Sequence, residues 1–340
     1  LKHIIFCSFF LSSLVYVSHN DYIPCSGVEF MSLNQSVLIC DHVSPTLKEI
    51  LEKNGLKVTY EPEITPEQIA EKIGNFEVVV VRSRTKMTRE LIAKADKCKI
   101  IARVGIGLDN IDQEAAKEKN IRVINAVEGA ITAVAELVIG LMISMAREIP
   151  RADREIRNGN WIKKELMGSE LKGKYLGIVG LGNIGKRLGR LARALNMNII
   201  GYDVVPIDDE FSKEVGLMKA DLDTLLSSAD YVSFHVPLLD STRHMINAEK
   251  LKMMKNTARI INTSRGGVID EEALYNSLKN GGLAGAALDV FEMEPATENK
   301  LITLPNFIAT PHIGAQTKEA QLLAANIIAE KIIQILRGVL

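Results

Sequence analysis

From residue 37 onward, short runs of β-branched and aliphatic residues alternate with stretches whose apolar positions recur every three to four residues. That alternation builds parallel sheets joined by crossover helices. VLIC from 37, LKVTY from 56, EVVVVR from 77, KIIARV from 99 and IRVIN from 121 read as strands. Residues 45–54, 66–73, 88–95 and 112–119 read as the helices between them. Pro45 and Pro66 suit a first helical turn, where no N–H is needed, and Gly55 stops the first helix. A second βαβ series runs through YLGIVG from 175, NIIGYD from 198, DYVSFHV from 230, ARIINT from 258, LAGAALDV from 283 and NFIAT from 306. Between the two lies a helix over 132–146, ending before Pro150 and apolar all round, which predicts burial on several sides. The last helix, over 317–336, is left with no sheet of its own to complete and is expected to return to the first unit.

A chain of 340 residues is long enough for two cores, and its 47% apolar and 24% charged residues exclude a disordered, collagen-like or coiled-coil protein. Forty-one Lys and Arg balance 42 Asp and Glu without a basic stripe, so no nucleic-acid partner is expected and small molecules are favoured. Cys7, Cys25, Cys40 and Cys98 form no C-x-x-C, and no pair of the six histidines is spaced as H-x-x-H. Neither a disulfide framework nor a metal is expected, and a cytoplasmic, non-membrane protein is. Residues 1–30 stand apart: Lys2 precedes an apolar run from Ile4 to Val17 that resembles a signal-peptide core and is too short to span a bilayer. With Leu at position 1 and Met31 just before the first strand, an over-extended reading frame is the favoured explanation, a cleaved signal or anchor the alternative.

Gly180-Leu181-Gly182-Asn183-Ile184-Gly185 follows a predicted strand and opens a helix, the setting in which G-x-G-x-x-G binds a dinucleotide. Gly180 permits the tight turn, Gly182 lets the backbone approach a pyrophosphate at the helix N-terminus beside Asn183 and Ile184, and Gly185 lets helix and strand pack closely. Asp203 ends the next strand, placed for the adenosine ribose hydroxyls. Its charge opposes a 2′-phosphate, and Val204 and Val205 supply no cation, so the cofactor is expected to be NAD rather than NADP.

Three further segments each follow a predicted strand: Asn262-Thr263-Ser264-Arg265-Gly266-Gly267, Asp289 to Pro295, and Thr310-Pro311-His312-Ile313-Gly314. With the glycine-rich loop, in this order, they resemble the D-isomer-specific 2-hydroxyacid dehydrogenase family over essentially all of residues 31–340. The resemblance implies an α/β fold of two doubly wound parallel-sheet domains. A Rossmann NAD-binding domain, residues 130–313, is inserted into a flavodoxin-like substrate domain, residues 31–129 and 314–340, in a homodimer built around the 132–146 helix. It also implies roles. His312 matches the family's acid/base, suited by an imidazole that titrates near neutrality, and Glu294 its carboxylate partner, expected to raise the imidazole pKa and orient the ring. Arg265 matches the substrate arginine, whose planar fork grips a carboxylate and a 2-oxo group. Asp289 matches the residue bonded to the nicotinamide carboxamide. His235, Pro237, Thr263 and Gly314 line the cofactor, with His235 structural rather than proton-carrying.

Within the family, Trp161 to Leu171 and Val81-Arg82-Ser83-Arg84-Thr85 most resemble the D-3-phosphoglycerate dehydrogenases. There Arg82 and Arg103 match cations at the substrate, and Arg84, Lys163 or Arg147 are further candidates for a phosphate carrying up to two charges. Gly105 and Gly129 are expected to offer backbone groups to substrate. One departure stands out: where the family places polar side chains after Asn-x-Pro, this chain reads Asn125 to Thr132 with Glu128, which repels an anion if it points inward. The chain from His312 to Leu340 is too short for the C-terminal serine-binding domain of the longer enzymes, so that regulation is expected to be absent. A glyoxylate or hydroxypyruvate reductase is the near alternative, and an NAD-sensing corepressor-like interaction module the distant one.

Overall fold

The computed structural model describes residues 33–340; residues 1–30, with the signal-like run, lie outside them. The first sheet contains β1 (Ser36–Ile39), β2 (Lys57–Tyr60), β3 (Val78–Val81), β4 (Ile100–Arg103) and β5 (Arg122–Asn125), all parallel in the order β2-β1-β3-β4-β5. That is the flavodoxin-like order. Its crossovers are α1 (Pro45–Lys53), α2 (Pro66–Lys72), α3 (Arg89–Ala93) and α4 (Gln113–Glu118), three of them opened by the capping side chains of Thr65, Thr88 and Asp112. Two helices, α5 (Ile131–Ala146) and α6 (Ile149–Arg157), then lead out of this sheet, separated by Glu148 in the left-handed region at φ 50°. Pro150 falls in the first turn of α6, so the chain turns there and resumes a helix.

The second sheet contains β6 (Tyr175–Val179), β7 (Asn198–Tyr202), β8 (Leu217–Lys219), β9 (Tyr231–Phe234), β10 (Arg259–Asn262), β11 (Gly285–Leu288) and β12 (Phe307–Ala309). Its order, β12-β11-β10-β9-β6-β7-β8, is parallel throughout and reverses direction of winding between β6 and β9, the switch point at which such sheets bind ligands. The connecting helices are α7 (Asn183–Ala194), α8 (Asp209–Val215), α9 (Leu222–Ser228), α10 (Ala248–Met253) and α11 (Glu271–Lys279). The edge strand β8 was not expected. It is three residues long and mostly exposed, so it carries no apolar alternation to read.

The last helix, α12 (Lys318–Leu336), returns to the first sheet as expected. Ala325, Ile328, Ala329 and Ile332 share one core with Leu47 and Leu51 of α1 and with Val37, Ile39, Val78 and Val80. Residues 127–146 are long and apolar enough by composition to cross a bilayer, but Val134, Ala135, Val138, Leu141, Met142 and Met145 of α5 are buried in the protein. All of these but Val134 pack with Leu188 and Ala192 of α7 and with Ile261 and Ala287 of the second sheet. Burial on several sides is only partly met: Glu136, Gly140 and Ile143 leave one face of α5 open in the single chain.

Candidate functional site

Gly180 follows β6 at φ 92°, and a Cβ there would lie 2.6 Å from the His235 carbonyl oxygen. A Cβ on Gly185 would lie 2.1 Å from the Gly180 carbonyl oxygen, so only glycine lets α7 sit this close to the strand. Gly182, by contrast, faces open space, and no side chain caps the helix there. The amides of the first turn, including Asn183 and Ile184, have no intrahelical acceptor and suit an anion. Asp203 Oδ2 accepts from the Leu181 amide at 2.6 Å and Oδ1 from Val205 at 3.1 Å, tying the end of β7 to the glycine-rich turn. Thr263 is buried, with a hydroxyl that has no partner in the protein. The open glycine cradle and this orphaned hydroxyl, which follows β10 of the same sheet, fit a bound dinucleotide.

His235 is held neutral: burial pushes its pKa down to about 4, and Nε2 lies 3.0 Å from Ser233 Oγ. Pro237 is exposed, and its carbonyl accepts from Thr242 Oγ1 at 2.6 Å.

Three loops at the carboxyl ends of β10, β11 and β12 lock together. Buried Asn262 accepts from Ser264 N and Oγ at 3.0 and 2.7 Å and donates to the Arg265 carbonyl at 2.8 Å, shaping the turn that carries Arg265. A Cβ on Gly266 would lie 1.9 Å from the Phe291 carbonyl oxygen, which requires glycine where the first two loops meet. Asp289, 1% exposed, accepts from Thr310 Oγ1 at 2.6 Å and from the amides of Ile313 and Gly314 at 2.8 Å each. These bonds clamp the loop on which His312 stands, half-exposed and at φ 54°. His312 Nδ1 lies 3.0 Å from Glu294 Oε2, while Glu294 Oε1 accepts from the Phe291 amide at 3.2 Å.

The first sheet contributes cations. Arg82 follows β3, Arg103 ends β4, and Arg265 approaches from the second sheet. Burial drives the Arg103 pKa down to about 10, with the positive charge of Arg265 adding to the shift and Asp109 opposing it. Arg103 Nε is buried without a hydrogen-bond partner among the described residues. Burial likewise lowers the Arg82 pKa, against the pull of Asp41. A Cβ on Gly105 would lie 2.9 Å from Arg103 Nη1, so this glycine gives the guanidinium its room. Arg265 donates from Nε to Asp109 Oδ2 at 2.9 Å and from Nη1 to the Ser264 carbonyl at 2.6 Å.

Several expectations need correction. Arg84 is not a free cation: its guanidinium donates to the carbonyls of Cys40, Pro62 and Ile64 and pairs with Asp41, bracing the loop that bears Arg82. Gly129 is buried against α12, where a Cβ would lie 2.9 Å from Ala324 Cβ, and its amide is spent on the Ala126 carbonyl at 3.2 Å. It has a packing role in place of the expected substrate contact. Glu128 is drawn to Lys331 of α12 at 3.5 Å, which answers the concern about an inward acid. Arg147 and Lys163 are exposed. The sequence assigns no role to Asp41 and Asp109, which act through partners far along the chain, or to Asn262, whose bonds to Ser264 and Arg265 are a local side-chain turn that the sequence reading missed.

A family model described as "D-isomer specific 2-hydroxyacid dehydrogenase, NAD binding domain" matches residues 139–314. The chain is 48% identical over 303 residues to the D-3-phosphoglycerate dehydrogenase of Methanocaldococcus jannaschii, covering 89% of this chain but only 57% of that protein. It is 46% identical over 286 residues to the hydroxypyruvate reductase of Thermotoga maritima, covering 83% of this chain and 92% of that protein. Among solved structures, a D-lactate dehydrogenase from Aquifex aeolicus complexed with NAD and lactic acid superposes with a TM-score of 0.78 at 29% identity, over 89% of this chain and 96% of that one.

Proposed function

This chain belongs to the D-isomer-specific 2-hydroxyacid dehydrogenase family, and we propose that it oxidises 3-phospho-D-glycerate to 3-phosphooxypyruvate with NAD, the first step of serine synthesis. The observation that carries the reading is the gathering of Arg82 and Arg103 next to Arg265, with the Arg103 Nε buried and unpartnered. Keeping cations desolvated at this density is costly unless an anion completes them.

In this reading residues 130–313 hold the dinucleotide and residues 31–129 with 314–340 hold the substrate. Gly180, Gly182, Asn183, Ile184 and Gly185 take the pyrophosphate, Asp203 the ribose, and Thr263, Asp289, His235, Pro237 and Gly314 surround the nicotinamide. Bound NAD would supply the hydride acceptor for C2 of the hydroxy acid. His312 takes the hydroxyl proton on Nε2, since Nδ1 is engaged by Glu294. Arg265 holds the carboxylate and polarises the oxygen on C2 through its Nη edge, and Arg82, Arg103 and the backbone of Gly105 hold the phosphorylated end. Ile143, Ile149, Ile156, Trp161 and Met167 on and after α5 and α6 are exposed large apolar residues, which supports a homodimer closing over this face.

A second reading, a hydroxypyruvate reductase, is favoured by one observation. The relative of that name is 46% identical over 286 residues, nearly as similar as the phosphoglycerate relative at 48% over 303. The test is NADH oxidation by the purified protein with 3-phosphooxypyruvate, hydroxypyruvate and glyoxylate in parallel. Faster turnover of the phosphorylated acid supports the proposal, faster turnover of hydroxypyruvate the second reading, and NADH binding without turnover would leave an interaction module.

A further inference from the structure

Asp109, on the loop after β4, has no part in the chemistry proposed above, yet its carboxylate accepts from Arg265 Nε at 2.9 Å. The two residues are 156 apart in sequence and belong to loops of different sheets. Arg265 Nη1 is also anchored, to the Ser264 carbonyl at 2.6 Å, so the edge left for a ligand is the one around Nη2. The pair occupies space that only glycine leaves open: a Cβ on Gly107 would meet Arg265 Nη2 at 1.8 Å and Asp109 Oδ2 at 2.5 Å. With the Asp109 side chain 62% and the Arg265 side chain 27% exposed, an ion pair of this kind adds little to stability. Its consequence is orientation.

We infer that Asp109 is a positioning residue for Arg265: by holding Nε from the other domain, it fixes which edge of the guanidinium meets the incoming 2-oxo carboxylate. The inference rests on the reading that Arg265 binds substrate. It has a rival of opposite sign, since a carboxylate this close could serve only to repel anions.

The experiment compares the full chain with its Asp109→Asn and Gly107→Ala variants, measuring NADH affinity, melting temperature, oxamate binding to the NADH complex and kcat/KM for the best 2-oxo acid. Both variants are expected to lose tenfold or more in kcat/KM and fivefold or more in oxamate affinity, with NADH affinity and melting temperature unchanged. In an Arg265→Lys background, Asp109→Asn is expected to change kcat/KM less than twofold, because lysine has no second edge to be held. Tighter oxamate binding by Asp109→Asn, or an equal loss in both backgrounds, would overturn the inference. If the wild-type protein reduces no 2-oxo acid, the proposed reaction falls on its own. Crystal structures of wild type and Asp109→Asn then decide: Arg265 is expected to leave Gly107 in the variant, and a guanidinium that stays in place refutes the role.

Discussion

Glu294 Oε2 lies 3.0 Å from Nδ1 of His312, so that ring nitrogen is occupied and Nε2 is the one left for proton exchange. The carboxylate therefore selects the tautomer as well as the ring orientation. His312→Gln is expected to lower kcat by at least ~10³-fold, and Glu294→Gln, which keeps an acceptor but loses the charge, by roughly 10–10²-fold. Steady-state rates together with NADH titration check this: the prediction requires that NADH affinity stay within about twofold of wild type.

Asp289 anchors the same loop from beneath through Thr310, Ile313 and Gly314. In Asp289→Asn a single amide oxygen replaces two acceptor oxygens, and the new NH2 group faces backbone amides. A buried loss of that kind is worth about 2–4 kcal/mol. Denaturant unfolding should show this destabilisation alongside a lower kcat, whereas Thr310→Val, which removes one donor, should cost only about 1 kcal/mol.

His235 gives the protein an acid sensitivity of predictable sign. Its folded pKa of about 4 lies below the ordinary imidazole value of 6.5, so between those values the unfolded chain binds the proton more readily. The contribution of neutral His235 to stability is whole above pH ~6.5 and is lost progressively as pH falls toward ~4. Melting temperatures from pH 7 to 4.5 should fall less steeply for His235→Asn than for wild type. Parallel curves would show that this imidazole does not titrate as described.

Asp203 is expected to decide between the two nicotinamide cofactors. A like charge at ~4 Å and an effective dielectric of ~20 costs up to ~4 kcal/mol before screening. Asp203→Ser should therefore narrow the NADH over NADPH preference in kcat/KM by at least tenfold. It should also weaken NADH binding, because the Leu181 amide loses its acceptor.

The strands and the glycine-rich turn are legible because each is written locally, as an apolar run or a motif, and the return of α12 because no sheet is left for it to complete. What pattern could not supply is where long side chains spend their donors. Arg84 read as a free cation like Arg82, yet it is consumed by carbonyls of residues 40, 62 and 64. Gly129 reads as a backbone contact for substrate in a segment that departs from the family's pattern, while its absent side chain is required by Ala324 on a helix nearly 200 residues later. Asp109 follows β4 close to Arg103 and Gly105, but its partner, Arg265, lies on the other sheet. Such pairings exist only once the two domains meet.

The most direct test of the central claim is the ratio of kcat/KM for 3-phosphooxypyruvate to that for glyoxylate, in wild type and in an Arg103→Met variant. The account predicts a preference of at least ~100-fold, about 2.7 kcal/mol of transition-state binding, most of it lost in the variant. Equal or better turnover of glyoxylate by the wild-type protein would contradict it and leave a general hydroxyacid reductase whose arginines do not read phosphate.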